Sequence, residues 1–309
     1  MQIQTIGIPT AMYYFEYGEI WRRFFSALGL RVLLSEKTNA EILDAGTKKA
    51  SSDLCLPVKA MFGHVDYLLQ GDAQPDALFL PKIYKTSVGC YTCPKTIGLT
   101  DMLKVTYAKL PTVIEPCFYG DMKNFLISTG RGLGYSRMLS YRAYRIATGK
   151  KEVPMYDTHA EGLTVALVGH SYVLGDAYLN MQIKARLHAM RIRCLTSDDM
   201  RLPTHANLAA VTGYKQPFWH SADRNLTFVK NVTDHRAADG FIFLNSFGCG
   251  TDSLSVGFCR DYIRQHSDIP AITISLDEHS AEAGFVTRLE AFADCLESAA
   301  CRYSESMVI

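Results

Sequence analysis

Apolar residues in this chain fall first at alternate positions and then at helical spacing, and the change of period recurs along its length. Gln2 to Ile8 alternates and is rich in isoleucine, and Gly7, Pro9 and Thr10 interrupt it. From Tyr13 to Leu28 the side chains Phe15, Ile20, Phe24, Phe25 and Leu28 follow a helical period. The pattern predicts a strand, a turn and a helix. Gly29 predicts the end of that helix, Leu30 to Ser35 a second strand, and Asn39 to Ala50 a second helix capped by Thr38 or Asn39. After Cys55, Pro57 suits a first helical turn, and Val58, Met61, Phe62, Val65, Leu68 and Leu69 share one face. Ala77 to Ile83 reads as a buried strand, Leu99 to Leu110 as a helix and Thr112 to Ile114 as a strand. Met122 to Ala147 reads as helix broken at Gly130, Gly132 and Gly134.

Gly149 to Pro154 has the composition of a linker, and a second unit of the same outline follows it. Its expected elements are a strand from Leu163 to Val168, a helix from Ala177 to Met190, a strand at Arg193 to Leu195 and a helix near Phe228. Strands at Phe241 to Leu244 and Ala271 to Ser275 then alternate with helices at Ser253 to His266 and Ala283 to Cys295. Asp199 to Asp223 has no clear period. Alternation of this kind argues for an α/β fold with mostly parallel sheets covered on both faces. At 309 residues, two domains are expected, residues 1–155 and 156–309.

Composition narrows the partners more than the fold. Hydrophobic residues make up 48%, charged residues 20%, and the net charge is +1, so no overall field draws nucleic acid or an anionic membrane. No segment approaches the roughly 20 apolar residues of a membrane span, and Met1-Gln2-Ile3-Gln4-Thr5 is no basic leader. A cytoplasmic protein is expected. Nine cysteines in a chain too large to need disulfides favour a reducing compartment, with thiols available for metal or redox work.

Three of those cysteines stand at expected helix entrances: Cys55 before Leu56-Pro57, Cys93 before Pro94-Lys95, and Cys249 after Phe247-Gly248. Helix N-termini favour thiolate over thiol and can cradle an anionic metal–sulfur group, so the three are expected to ligate one iron–sulfur cluster, a [4Fe-4S] cluster with one iron left open. Zinc is the rival metal, although its structural sites use paired, closely spaced knuckles. Cys90, in Cys90-Tyr91-Thr92-Cys93, fits a redox dithiol, a zinc knuckle or a further ligand, and Cys117 is a further ligand candidate. Cys194, Cys259 and Cys295 read as inert packing. His170 reads as a substrate contact or a turn residue, and Glu278 and His279 as acid–base groups or helix-start residues. Lys59 and Lys95 would neutralise the cluster or bind phosphate, or else lie on a solvated surface. Thr129 to Gly134 lacks the strand–loop–helix setting of a nucleotide loop, so ATP binding by this chain is not expected.

Six blocks in order, Ile6-Gly7-Ile8-Pro9, Cys55-Leu56-Pro57-Val58-Lys59, Cys93-Pro94-Lys95 with Gly98-Leu99-Thr100-Asp101-Met102, Val168 to Tyr172, Phe247 to Gly250, and Asp277-Glu278-His279 with Thr287 to Phe292, carry a resemblance over nearly the whole chain. It resembles the family related to 2-hydroxyacyl-CoA dehydratase activases, with kinship to the dehydratase subunits and the double-cubane cluster proteins. The resemblance implies two Rossmann-like halves with an oxygen-sensitive cluster in the cleft between them, held by Cys55, Cys93 and Cys249. It implies an electron-accepting reductase or dehydratase-like component, reduced at low potential by an ATP-hydrolysing activator and acting on an acyl-CoA or other small substrate. A homodimer, or a heterodimer with a dehydratase-like subunit, is consistent with it. A double-cubane [8Fe-9S] cluster, needing about six thiolates, is the alternative cofactor. A cluster scaffold or assembly partner, and a thiol oxidoreductase using Cys90 and Cys93, are the alternative functions.

Overall fold

The computed structural model describes residues 3–71, 73–87, 89–149, 162–200 and 217–306, with side chains as far as 298. The expected linker after Gly149 and most of the segment without a clear period lie outside the described residues. The chain divides into two compact units, Met1–Glu152 with Phe218–His220, and Val153–Pro217 with Ser221–Ile309.

The first unit runs β1 (Thr5–Ile8), α1 (Tyr14–Ala27), β2 (Arg31–Leu34), α2 (Ala40–Lys49), α3 (Leu56–Gln70), β3 (Ala77–Phe79), β4 (Lys82–Ser87), β5 (Cys90–Tyr91), α4 (Pro94–Ile97), α5 (Leu99–Thr106), β6 (Thr112–Ile114), β7 (Cys117–Tyr119), α6 (Met122–Gly132) and α7 (Arg137–Ala147). Its main sheet has the order β2-β1-β3-β6 and is wholly parallel. Gly29, at φ +85°, turns the chain out of α1 in the left-handed conformation that glycine adopts without strain. The Asn39 side chain caps α2 by accepting from the Ile42 N–H at 2.9 Å. Trp21, Phe24, Phe25, Phe79, Phe118 and Phe125 fill the core on one face of the sheet, with Phe25 edge-on to Phe79 at 4.9 Å.

Two expectations for this unit are corrected. Ala77 to Ile83 is not one strand: β3 stops at Phe79, and Pro81, which has no N–H for a ladder, separates it from β4. β4 joins a second, three-stranded sheet of order β5-β4-β7, antiparallel to β5 and parallel to β7. Nor is α3 buried on one face only. Every residue from Leu56 to Asp66 is buried, including Lys59, His64 and Asp66, because α2 lies directly on its backbone. A Cβ at Gly46 would stand 2.0 Å from the Lys59 carbonyl oxygen, and one at Gly63 would stand 1.8 Å from that of Ile42.

The second unit runs β8 (Thr164–Val168), α8 (Ser171–Leu174), α9 (Ile183–Ala189), β9 (Arg193–Leu195), α10 (His220–His235), β10 (Gly240–Ser246), α11 (Gly250–His266), β11 (Ala271–Leu276) and α12 (Glu282–Ser306). Its parallel sheet has the order β11-β10-β8-β9. Read in chain order, both main sheets place the first strand between the second and third, with the fourth beyond the third. The units thus share a Rossmann-like α/β plan with mostly parallel sheets. The helix expected from Ala177 is shortened to α9. The Asp176 carboxylate accepts from the N–H groups of Tyr178 and Leu179, and the Asn180 amide donates to the carbonyls of Val173 and Leu174. Such local bonds compete with a helix, and Met181 and Gln182, at φ +52° and +57°, complete the break. Among the described residues no helix is long and apolar enough to cross a membrane.

Candidate functional site

Chain connections diverge between the first and third strands of each unit, the position where open α/β sheets hold ligands beyond the strands' carboxyl ends. In the first unit this point lies between β1 and β3. It is a narrow apolar crevice lined by residues that include Ile8, Tyr13, Trp21, Phe79, Leu80 and Thr96, with a volume of about 30 Å3, room for about one water.

Two of the expected cysteines belong to this unit. Cys55 is the N-cap of α3 and Cys93 the N-cap of α4, both in extended backbone and neither using its thiol to cap. Proline in the first turn of each helix gives up an N–H that would have no helical partner there. The two entrances are tied together: Lys95 Nζ donates to the Asp53 carbonyl at 3.0 Å, and Lys59 Nζ donates to that of Ser52 at 3.1 Å. Lys59 is buried, which excludes the solvated-surface reading for it. The Asp53 carboxyl is held below its usual range by the Ser51 hydroxyl first, and also by Lys95 and Lys59. Burial, followed by the charges of Glu16, Tyr17 and Cys93, pushes the Tyr13 phenol well above its usual value. A neutral phenol therefore stands beside Cys93.

A buried cluster around His64 in this unit is structural. His64, on α3, faces Ser35 Oγ at 2.8 Å and Thr10 Oγ1 at 3.4 Å through Nδ1, and Thr38 Oγ1 at 2.9 Å through Nε2. Burial pushes its pKa down to about 4, so the ring is a neutral staple joining α3 to the loops that follow β1 and β2.

In the second unit the corresponding point lies between β8 and β10, and it is polar. His170, the N-cap of α8, follows β8, and Cys249, the N-cap of α11, follows β10. The His170 Nε2 is aligned on Cys249 Sγ at 3.6 Å and lies 3.0 Å from Asp252 Oδ1. The latter is an ion-pair distance without hydrogen-bond alignment, and neither Asp252 oxygen has a hydrogen-bond partner. Asp252 is 1% exposed and His170 8%. The imidazole stacks on Tyr172 at 4.4 Å, and Cys249 Sγ also lies 3.3 Å from Thr251 Oγ1. Burial alone would lower the His170 pKa, but the Asp252 carboxylate, followed by the Cys249 contact, raises it to about 10. At neutral pH the ring is an imidazolium. Thiol and carboxylate address the same ring nitrogen, so the three groups converge on a point instead of forming a relay through both nitrogens.

The remaining candidates fall elsewhere. Cys90 is buried in β5 and Cys117 is exposed in β7. His279 is exposed and Glu278 half-buried, in a turn where the Asp277 carboxylate accepts from the His279 N–H and the Ser280 hydroxyl. Cys259 is fully buried and its thiol is pushed up by burial. Cys194 is half-buried, its pKa raised to about 11 chiefly by burial. Cys295 is exposed on α12, which corrects its reading as a packing residue. Asp252 is the functional candidate that the sequence reading missed. Its signal was the i, i+3 spacing from Cys249, which puts both on one side of a first helical turn.

The model of the family described as the CoA enzyme activase uncharacterised domain matches residues 5–200. No curated protein matches the chain.

Proposed function

The chain belongs to the CoA enzyme activase uncharacterised-domain family, a membership that speaks for an activase-like role; beyond it, from the residues around Cys55 and Cys93, we propose that the chain is an iron–sulfur component of an ATP-driven, low-potential activation system, on the electron-accepting side. The observation that carries this reading is the paired entrance of the first unit. Cys55 and Cys93 each cap a helix, and both lysines that follow them fold back onto the same loop. Two thiols at helix N-termini with two ammonium groups at hand suit an anionic cluster, so the residues fit the group. A cluster bound there would accept and release single electrons. The chain's own contribution is to fix the thiolates through the α2–α3 contact, balance their charge through Lys59 and Lys95, and present the neutral Tyr13 hydroxyl beside Cys93.

Within this reading an ATP-hydrolysing activator supplies the electron, and the acceptor downstream is an acyl-CoA or another small substrate. The 30 Å3 crevice has no room for an acyl chain, so substrate would sit elsewhere or on a dehydratase-like partner. A thiol oxidoreductase reading is weaker, because Cys90 is 1% exposed and disulfide exchange needs access to sulfur.

Anaerobic isolation tests the proposal. Iron and sulfide near four per chain, lost in Cys55→Ala and in Cys93→Ala but kept in Cys295→Ala, are expected. Full iron in either of the first two variants removes that residue from the site. ATP-dependent reduction by an activator separates an electron acceptor from an assembly scaffold. The result for Cys249→Ala decides whether the second unit's thiolate belongs to the same cluster.

A further inference from the structure

The surroundings of Cys249 differ in kind from those of Cys55 and Cys93. Its sulfur, the His170 imidazole and the Asp252 carboxylate lie within 4.8 Å of one another, the one such group of His, Cys, Asp and Glu donors among the described residues. A tetrahedron built on bonds of roughly 2.0 to 2.3 Å, the lengths for nitrogen, oxygen and sulfur on zinc, has edges of about 3.3 to 3.7 Å. The sulfur–nitrogen edge here is 3.6 Å and the nitrogen–oxygen edge 3.0 Å, close to those values, and the sulfur–oxygen edge is within 4.8 Å. Both Asp252 oxygens are buried without hydrogen bonds, and the His170 ring lies at ion-pair distance without alignment, so a cation that displaced the imidazole proton would take up lone pairs that the ring leaves unused. Asn245 Oδ1 and Ser246 Oγ, at the end of β10, also lack hydrogen-bond partners, and Asn245 Nδ2 holds Ser253 Oγ of α11 at 3.2 Å.

We infer that His170 Nε2, Cys249 Sγ and Asp252 hold a single divalent cation of the zinc class in the second unit, separate from any cluster of the first. One nitrogen, one thiolate and one carboxylate form a borderline-soft donor set, which suits zinc or cobalt(II) better than magnesium or calcium, which prefer all-oxygen sites. Three protein ligands leave the fourth position open. The site lies at the carboxyl ends of β8 and β10, where the sheet topology opens. That places an electrophilic ion with an exchangeable position where a carbonyl or water oxygen could reach it.

The probe is cobalt(II), added to the metal-stripped full-length protein under anaerobic conditions. One equivalent per chain, with a thiolate-to-cobalt absorption and tetrahedral visible bands that one equivalent of zinc abolishes, is expected. Cys249→Ala, His170→Ala and the near-isosteric Asp252→Asn should each weaken binding by at least tenfold. Cys55→Ala and Cys93→Ala should leave it unchanged, which keeps the outcome independent of the cluster proposal. Circular dichroism of each variant separates lost ligation from lost folding. No cobalt binding by wild-type protein, or binding undiminished in a folded Asp252→Asn variant, overturns the inference. So does loss of cluster iron in Cys249→Ala together with a wild-type protein that takes up cobalt only when the cluster is absent, since Cys249 would then be a cluster ligand.

Discussion

Among the described residues each unit buries one histidine near the carboxyl ends of its sheet, one ring neutral and the other protonated. His64 is 0% exposed among Ser35, Thr38 and Thr10, and its pKa falls to about 4. His170 is 8% exposed against Asp252 and Cys249, and its pKa rises to about 10. Burial disfavours the charged ring in both, so burial does not decide the outcome. Hydroxyl partners solvate a neutral ring but offer no charge, whereas a carboxylate at ion-pair distance reverses the desolvation penalty. The first unit therefore uses its histidine as a structural staple and places its thiols apart from it, at two helix entrances. The second gathers histidine, thiol and carboxylate at one point.

The largest test of this contrast is to remove the carboxylate. In metal-free protein at pH 7, Asp252→Ala leaves a buried imidazolium without its partner and should cost about 3 to 5 kcal/mol of second-unit stability. Replacing both members, His170→Leu with Asp252→Leu, should recover most of that loss, because an apolar pair leaves no charge behind. Denaturant unfolding of the singles and the double variant measures the coupling. A single-variant loss under about 1 kcal/mol would show that the two groups are not paired in solution.

A smaller effect separates the first unit from the second by acid. His64 binds its proton more weakly folded, at about 4, than unfolded, at about 6.5. The unfolded chain therefore holds more protons between those values, and stability is lost as pH falls from about 6.5 to 4. The full loss is about 3 kcal/mol. Chemical denaturation across this window should show the decline in wild-type protein and a flatter profile in His64→Gln. Equal slopes would place the titrating group elsewhere. The smallest expected change is at the staple's edge: Ser35→Ala removes the 2.8 Å partner of Nδ1 and should cost about 1 kcal/mol at pH 7. A change within error would show that Thr10, at 3.4 Å, suffices.

Features that depend on neighbours in sequence were legible before the fold. The alternation of periods predicts the strands of both main sheets and most of the helices, but not the small β5-β4-β7 sheet or α8; Gly29 and Asn39 mark helix ends, and proline or glycine beside Cys55, Cys93 and Cys249 marks three helix entrances. Features set by neighbours in space were not. Lys59 looks like a surface lysine until α2 covers the helix that carries it, and Cys295 looks like packing until α12 presents it to solvent. Pro81 is a local signal, yet the apolar run continues across it and so reads as one strand. His170 and Asp252 are 82 residues apart (252 − 170), and only the β8–β10 pairing brings them together.

The backbone contact of Gly46 and Gly63 with the facing helix bears on how fast an electron could arrive. Transfer rates depend on how far ligand atoms must shift when a centre changes oxidation state, a cost set by the stiffness of the scaffold. Two helices resting on each other's carbonyls have little freedom to slide, and Cys55 sits one residue before the clamped helix. A thiolate held there would move little between oxidised and reduced forms, so the reorganisation energy would be small and the rate would be governed by driving force and distance.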